Sequence, residues 1–398
     1  MKKVIFHIDV NSAFLSWEAT YRKENGVEGE DLRDIPAAVG GDMSKRHGVI
    51  LARSVPAKEY QVKTGEPITD ALKKCPHLFI VQPNHQIYEK YSQAFMRILR
   101  EYTPDVEQYS IDEAFMDMTG TSKLFGEPMQ AATTIKERIK NELGFTVNVG
   151  ISDNKMLAKM ASDFKKPDRI HTLYTEEIET KMWPLPVSDL FYVGKATAYG
   201  LSKLGIHTIG DLAKTDLKIL TSNFKKHGEL IWRMANGLDT SLVENEPDAN
   251  KGYGNSTTIS FDVTDDSTAK MVLLALTEKV AGRMREDGVS AESVSVTIKD
   301  FNLVKYSHQM MLESATNITD ELHKAACKLF DELWDGAPIR MLGVQAGKLS
   351  KGEAARQYNM FDNTDYEKLN AVDKAMDKIR NKFGSGAVKR ASLMDRSK

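Results

Sequence analysis

The segment Tyr109-Ser110-Ile111-Asp112-Glu113-Ala114-Phe115-Met116-Asp117 sets two adjacent carboxylates inside a run that otherwise reads as a buried strand. Strands are poor in Asp and Glu, and charged side chains are buried only when something pairs with them. A divalent cation resolves the conflict, because hard cations take carboxylate oxygens. A third carboxylate stands in a similar setting. Val4-Ile5-Phe6-His7-Ile8-Asp9-Val10 is a short apolar strand with Asp9 near its end. Any one of these acidic residues is explained as well by a solvated turn. Three at strand ends can hold two Mg²⁺ ions, an arrangement suited to phosphoryl or nucleotidyl transfer.

A chain of 398 residues is too long for one ordinary core, so several domains are expected. The formal net charge of −2 gives no general attraction for nucleic acid. A nucleic-acid binder with this balance must concentrate its basic residues on one surface. The two cysteines, Cys75 and Cys327, fall in no CxxC or Cys/His pattern. That spacing argues against a disulfide framework or a zinc site and fits a reducing compartment. The apolar stretch at the N-terminus is too short for a signal sequence or a membrane span. A cytoplasmic protein is expected.

The order of elements points to an α+β chain. After the Asp9 strand, Asn11 or Ser12 caps a helix whose N-terminal amides face the place where phosphates could sit. Two short strands, Ala37–Gly41 and Gly48–Arg53, flank the basic turn Lys45-Arg46-His47. A helix over Tyr88–Tyr102 places Tyr88, Tyr91, Phe95, Ile98 and Leu99 on one face. Then come the acidic strand, a helix over Pro128–Leu143, a strand over Thr146–Ile151 and a helix over Lys155–Phe164. This strand–helix–strand–strand–helix–strand order predicts a ferredoxin-like sheet with its helices on one face. Residues 176–237 read as all-helical. Val193-Gly194-Lys195 sits at the turn of a helix-hairpin-helix pattern, whose backbone amides meet a phosphate. Beyond a polar linker, a second β-α-β-β-α-β unit runs from Ser256 to Leu349. In the tail, Thr364-Asp365-Tyr366-Glu367 forms a capping box. The helix after it carries Tyr366, Leu369, Val372, Met376, Ile379 and Phe383 on one stripe.

The pattern Asp9-Val10-Asn11-Ser12-Ala13-Phe14 with Ser110-Ile111-Asp112-Glu113-Ala114-Phe115 resembles the Y-family (translesion) DNA polymerases. Gly150-Ile151-Ser152-Asp153-Asn154-Lys155-Met156-Leu157-Ala158-Lys159, Lys165-Lys166-Pro167 and the helix-hairpin-helix support it. The resemblance covers the whole chain and implies a multidomain right-hand polymerase. Its ferredoxin-like palm would be residues 1–22 and 80–172, and its small fingers 23–79. A helical thumb would span 173–240, a linker 241–254 and a β-α-β-β-α-β little finger 255–350. Residues 351–398 would hold a clamp-binding peptide and a C-terminal helix.

The resemblance also implies roles. Asp9, Asp112 and Glu113 would be the catalytic carboxylates, holding two Mg²⁺ ions with the backbone carbonyl of Val10. Phe14 would be the steric gate that excludes a ribose 2′-hydroxyl, and Lys58 and Lys166 would grip the triphosphate. DNA contacts would come from Val193, Gly194 and Lys195 and, on the little finger, from Lys299, Lys305 and Arg340, with His308 and Lys348 as further candidates. Gln357-Tyr358-Asn359-Met360-Phe361 is similar to the peptide by which bacterial polymerases dock on the sliding clamp, the β subunit of DNA polymerase III. Gln357 would meet the rim of its pocket, and Met360 and Phe361 would fill it. Primer-template DNA and deoxynucleoside triphosphates are the implied substrates, and a monomer is implied. Val55 and Lys58 stand where DinB-type enzymes carry Tyr and Arg, so the fingers are closer to the UmuC type and the branch stays open. The implied activity is error-prone, template-directed synthesis across damaged DNA without proofreading. The alternative is a catalytically silent, clamp-docking DNA scaffold that regulates other polymerases. Against it stands the complete set Asp9, Asp112 and Glu113. A third reading, a nucleotide cyclase on the same core, has no use for the helix-hairpin-helix.

Overall fold

The computed structural model describes residues 2–42, 48–246, 249–352 and 365–393. Two compact units emerge, one formed by residues 1–41 with 48–247 and the other chiefly by residues 248–398.

In the first unit the chain opens with β1 (Ile5–Val10) and α1 (Ala13–Glu24). A small subdomain follows: β2 (Ala37–Gly40), β3 (Ile50–Arg53), α2 (Val55–Glu59), α3 (Ile68–Lys74) and β4 (Phe79–Val81). Next come α4 (His85–Arg100), β5 (Val106–Gln108), β6 (Glu113–Asp117), α5 (Ser122–Phe125) and α6 (Pro128–Leu143). The unit's second sheet closes with β7 (Val147–Ser152), α7 (Lys155–Asp163) and β8 (Ile170–Thr172). Its strand order is β5-β6-β1-β7-β8, which puts β1 at the centre with antiparallel neighbours on both sides. The helical region that follows carries α8 (Lys195–Ser202), α9 (Ile209–Lys214), α10 (Leu217–Phe224) and α11 (Lys226–Ala235).

The period-2 alternation of β1 sorts its side chains. Phe6, Ile8 and Val10 enter the core with Tyr88, Phe95, Ala132 and Ile135 of α4 and α6. Ile5, His7 and Asp9 face the other way. The expectation that the helices lie on one face is corrected here, because α7 packs on that second face, with Ala158 against Ile5 and Phe115. A residue without a side chain makes this possible. A Cβ on Gly150 would stand 1.9 Å from the Ala158 carbonyl oxygen. Asp112 is also displaced from its predicted place. The strand begins only at Glu113, and the amides of Tyr109 and Ser110 both donate to the Glu113 carbonyl, so Asp112 rides on a tight turn. The segment read as a linker is pinned at its start. The Glu244 amide donates to Glu107 Oε2 at 2.9 Å, and Val243 packs against the cluster of Ile5, Phe115 and Ala158.

The second unit is β9 (Gly252–Val263), α12 (Asp266–Glu286), β10 (Val289–Asp300), β11 (Lys305–Thr316), α13 (Thr319–Leu333) and β12 (Ile339–Lys351), then α14 (Tyr366–Phe383). Its sheet order is β11-β10-β12-β9. Val294, Val296 and Ile298 point into a core with α12 and α13, leaving Ser293, Ser295, Thr297 and Lys299 on the opposite face. The tail helix docks by its charged face. Asp373 is buried between Arg285 and Arg390, at 3.1 and 2.8 Å, while Val372, Ile379 and Phe383 of the predicted apolar stripe are exposed. Asp365 is its N-cap, accepting from the Lys368 amide at 2.9 Å; Thr364 of the expected capping box lies outside the described residues. Both cysteines are free thiols, and among the described residues no helix is long and apolar enough to cross a membrane.

Candidate active site

An open cleft of about 470 Å³ lies where β1 ends, between the central sheet and the small three-stranded subdomain. Asp9, Val10, Phe14, Lys58, Asp112 and Lys166 all line it, together with Arg53, Ser54 and Val55. Six side chains or backbone positions chosen from sequence therefore converge on one volume, although they span more than 150 positions of chain.

Local structure explains the convergence. The Val10 amide donates to the Asp112 carbonyl at 3.0 Å, which ties the two acidic segments together. Ser12 takes a left-handed conformation (φ 47°), and α1 starts immediately after it. The first amides of a helix have no intrahelical partner, and here they border the cleft beside Ser12, Ala13 and Phe14. The Phe14 ring stacks on Tyr88 at 4.5 Å and 11°, and the Tyr88 hydroxyl donates to Glu18. The gate candidate is thus a fixed wall. Across the cleft, Ser54 caps α2 by accepting from Ala57, and donates to the Ile35 carbonyl, fixing the turn before Lys58.

Asn11 and Asn148 hold the floor. Asn11 Oδ1 accepts from the Asp168 amide and the Thr146 hydroxyl, and its Nδ2 donates to Asn148 Oδ1. Asn148 Nδ2 in turn donates to the carbonyls of Ser162 and Lys165, locking the loop that presents Lys166. Lys166 Nζ stands 2.8 Å from Asp9 Oδ1 and 2.8 Å from Asp163 Oδ1. The Ser110 hydroxyl donates to Asp112 Oδ1 at 2.7 Å.

Glu113 is different. It pairs with Asp9 across the ladder, yet it does not line the cleft. Its carboxylate is ion-paired to Lys159 of α7. His7 Nε2 lies 3.0 Å away, off the line of a good hydrogen bond. Lys159 sits over the rings of Tyr109 and Phe191, each at 5.1 Å. Burial pulls the Glu113 pKa upward, but the Lys159 ammonium in contact with it, with His7 alongside, outweighs that and holds the group at about 2. Asp9 goes the other way. Burial raises its pKa to about 6, against the pull of Lys166. Burial likewise lowers the pKa of His7, whose Nδ1 meets Ser162 Oγ at 2.8 Å. His7, Asn11, Ser110, Asn148 and Lys159 were not found from sequence as parts of the site. The position of His7, two residues before Asp9 on the same face of one strand, was the available signal.

These residues suit a divalent cation. Asp9 is a partly buried carboxylate whose charge is incompletely compensated even with an ammonium at 2.8 Å. Asp112 shares its cleft. Among the described residues no three His, Cys, Asp or Glu side chains are gathered tightly enough to hold a metal unaided. The third carboxylate is the one drawn to Lys159.

Elsewhere, Tyr192 is left-handed (φ 72°) and leads through Val193 into α8, which Gly194 caps and Lys195 begins. Val193 is buried, so this turn offers outward its backbone, the Tyr192 ring and Lys195. On the second unit, Lys299 and Lys305 sit opposite each other across β10 and β11. Arg340 falls at an irregularity of β12. Lys348 is exposed, and His308 lies 3.5 Å from Glu332. Gln357, Met360 and Phe361 lie outside the described residues.

Comparison with known proteins agrees with this architecture. The impB/mucB/samB family description matches residues 8–163, its C-terminal domain matches 250–360, and a DNA polymerase-iota thumb domain matches 188–239. DNA polymerase IV of Clostridium acetobutylicum is 46% identical over 396 residues, covering 100% of this chain and 99% of the relative. DNA polymerase IV of Acetivibrio thermocellus is 38% identical, covering 99% and 98%, and DNA polymerase IV 2 of Bacillus subtilis is 40% identical, covering 99% and 95%. A solved chimera of the Y-family DNA polymerases Dbh and Dpo4 has the same fold, with a TM-score of 0.75 at 22% identity over 88% of this chain and 100% of its own. The chain belongs to the Y-family of DNA polymerases. Within that family its relatives are of the DNA polymerase IV, or DinB, type, which closes the branch question left by the UmuC-like fingers motif. Such an enzyme is a DNA-directed DNA polymerase serving translesion synthesis, and it requires a divalent cation, a DNA template and deoxynucleoside triphosphates. A silent scaffold is not favoured.

Proposed function

We propose that the cleft bounded by Asp9, Asp112 and Phe14 is where nucleotidyl transfer occurs, and that Asp9, Asp112 and the Val10 carbonyl hold two Mg²⁺ ions there, with Glu113 joining them by turning from Lys159. The observation that carries this reading is the meeting of Asp9 and Asp112 in one cleft, through a direct Val10–Asp112 backbone bond. When bound, the ions would neutralise the triphosphate and lower the pKa of the primer 3′-hydroxyl for in-line displacement of pyrophosphate. The chain's own part is positioning and charge. Lys166 and Lys58 grip the triphosphate from opposite sides of the cleft. The first amides of α1 meet phosphate oxygens. Phe14, stacked on Tyr88, closes the space below the sugar and excludes a 2′-hydroxyl.

Boundaries follow the reading made from sequence: palm 1–22 and 80–172, fingers 23–79, thumb 173–240, little finger 255–350. The thumb's Val193-Gly194-Lys195 turn and the little finger's Lys299, Lys305 and Arg340 hold the DNA backbone without reading its sequence. Two lysines directly opposed across a ladder repel, and a phosphate between them relieves that cost. Gln357, Met360 and Phe361 dock the enzyme on the sliding clamp. The enzyme works as a cytoplasmic monomer. Primer extension tests the site. Asp112→Ala should abolish Mg²⁺-dependent extension while primer-template binding survives, and extension at the parental rate would remove Asp112 from the chemistry.

A further inference from the structure

We propose that Lys166 is an exchangeable counter-cation: its ammonium neutralises Asp9 while the cleft is empty, and the incoming triphosphate draws it away, so that Asp9 takes a divalent cation only once nucleotide is present. This rests on the reading of Asp9 and Asp112 as cation ligands.

The two lysines beside the carboxylates are built differently. Lys159 is boxed in. Its side chain is 10% exposed, ion-paired to Glu113 and capped by the Tyr109 and Phe191 rings. Lys166 is 33% exposed, lines the cleft, and divides its ammonium between Asp9, which is 18% exposed, and Asp163, which is 54% exposed. A four-carbon stem lets an ammonium change partners without moving its backbone, and the backbone here is held by Asn148 at the Lys165 carbonyl. Asp163 offers the ammonium a second anchor when it leaves Asp9. Leaving a buried carboxylate unpaired is expensive, so Asp9 must exchange one cation for another. A divalent ion arriving alone has to displace an ammonium already in contact. A triphosphate supplies the competing negative charge that removes it.

The experiment is an electron paramagnetic resonance titration of the full-length protein with Mn²⁺ alone, without DNA or nucleotide. Lys166→Met should tighten Mn²⁺ binding by about tenfold or more. Asp9→Asn in the same background should abolish the gain. Lys58→Met removes a lysine of the same cleft that does not contact Asp9, and should change Mn²⁺ affinity less than about twofold. Circular dichroism checks that each variant is folded, and Lys166→Gln replaces the methionine variant if it is not. Equal gains from Lys58→Met and Lys166→Met, or no gain from either Lys166 variant, would overturn the exchange. Failure of the underlying site reading shows separately, as Mn²⁺ binding in the Lys166 variant that survives Asp9→Asn, together with normal primer extension by Asp112→Ala.

Discussion

At the scale of single residues, the site is built around charges whose surroundings oppose each other. Burial pushes the Asp9 pKa up to about 6, against an ordinary 3.8. Because the folded value is the higher one, its ionisation costs the folded state. The penalty is absent below about pH 4, grows between about pH 4 and 6, and is constant above that. Asp9→Asn should therefore raise the melting temperature at pH 7.5, by an amount equivalent to about 1–2 kcal/mol once the lost Lys166 contact is allowed for. At pH 4 the variant should gain nothing, and a gain independent of pH would contradict this account of the burial. Phe14 makes a separate prediction. Its ring is fixed by Tyr88, so Phe14→Ala should lower discrimination against ribonucleotides on the order of a hundredfold, read as incorporation of ribonucleoside against deoxyribonucleoside triphosphates. Asp9 and Asp112 were legible in the sequence because a carboxylate departs from an apolar strand pattern, whereas Phe14 was picked out only through the family resemblance. Glu113 was legible in identity and not in orientation, since its partner Lys159 lies 46 positions away.

At the scale of elements, the close approach of α7 to β7 carries the sheet face that bears Asp9. A methyl group at Gly150 would meet backbone atoms, Ala158 O at 1.9 Å and Ser162 N at 2.5 Å, so α7 would have to move. Gly150→Ala should destabilise by about 3 kcal/mol, seen as a lower urea midpoint with unchanged m-value. An unchanged midpoint would contradict the close packing. The thumb turn makes a second test. Lys195→Ala should weaken duplex binding equally across sequences and reduce the salt slope by about 1. Long elements such as α4 and α6 were legible because their apolar periodicity is sustained. β4, β5 and β8 are three residues each, too short to show any period. The orientation of α14 was misread for a different reason. Its buried position is Asp373, paired with Arg285 and Arg390, and an apolar stripe on the same helix outweighed that single charge in the pattern.

At the scale of the whole molecule, a chain with net charge −2 has no general attraction for DNA, and the proposed contacts place lysines on chosen faces, such as the Lys299–Lys305 pair. The proposed clamp docking belongs to this scale too. Replacing Gln357, Met360 and Phe361 with Ala should bring clamp-stimulated extension down to the level measured without clamp. The fold class was legible because two β-α-β-β-α-β orders and a helical stretch between them follow from periodicity alone. The meeting of Asp9 with Asp112 was not legible from spacing, because it depends on β1 and β6 being neighbours in the sheet. That meeting is also the central claim. The most direct test is anomalous scattering from Mn²⁺ in crystals of the enzyme with primer-template DNA and a non-transferable deoxynucleoside triphosphate. Peaks bridging Asp9 and Asp112, with Lys166 moved onto the phosphates, are the predicted result; peaks elsewhere, with Lys166 still on Asp9, would contradict it.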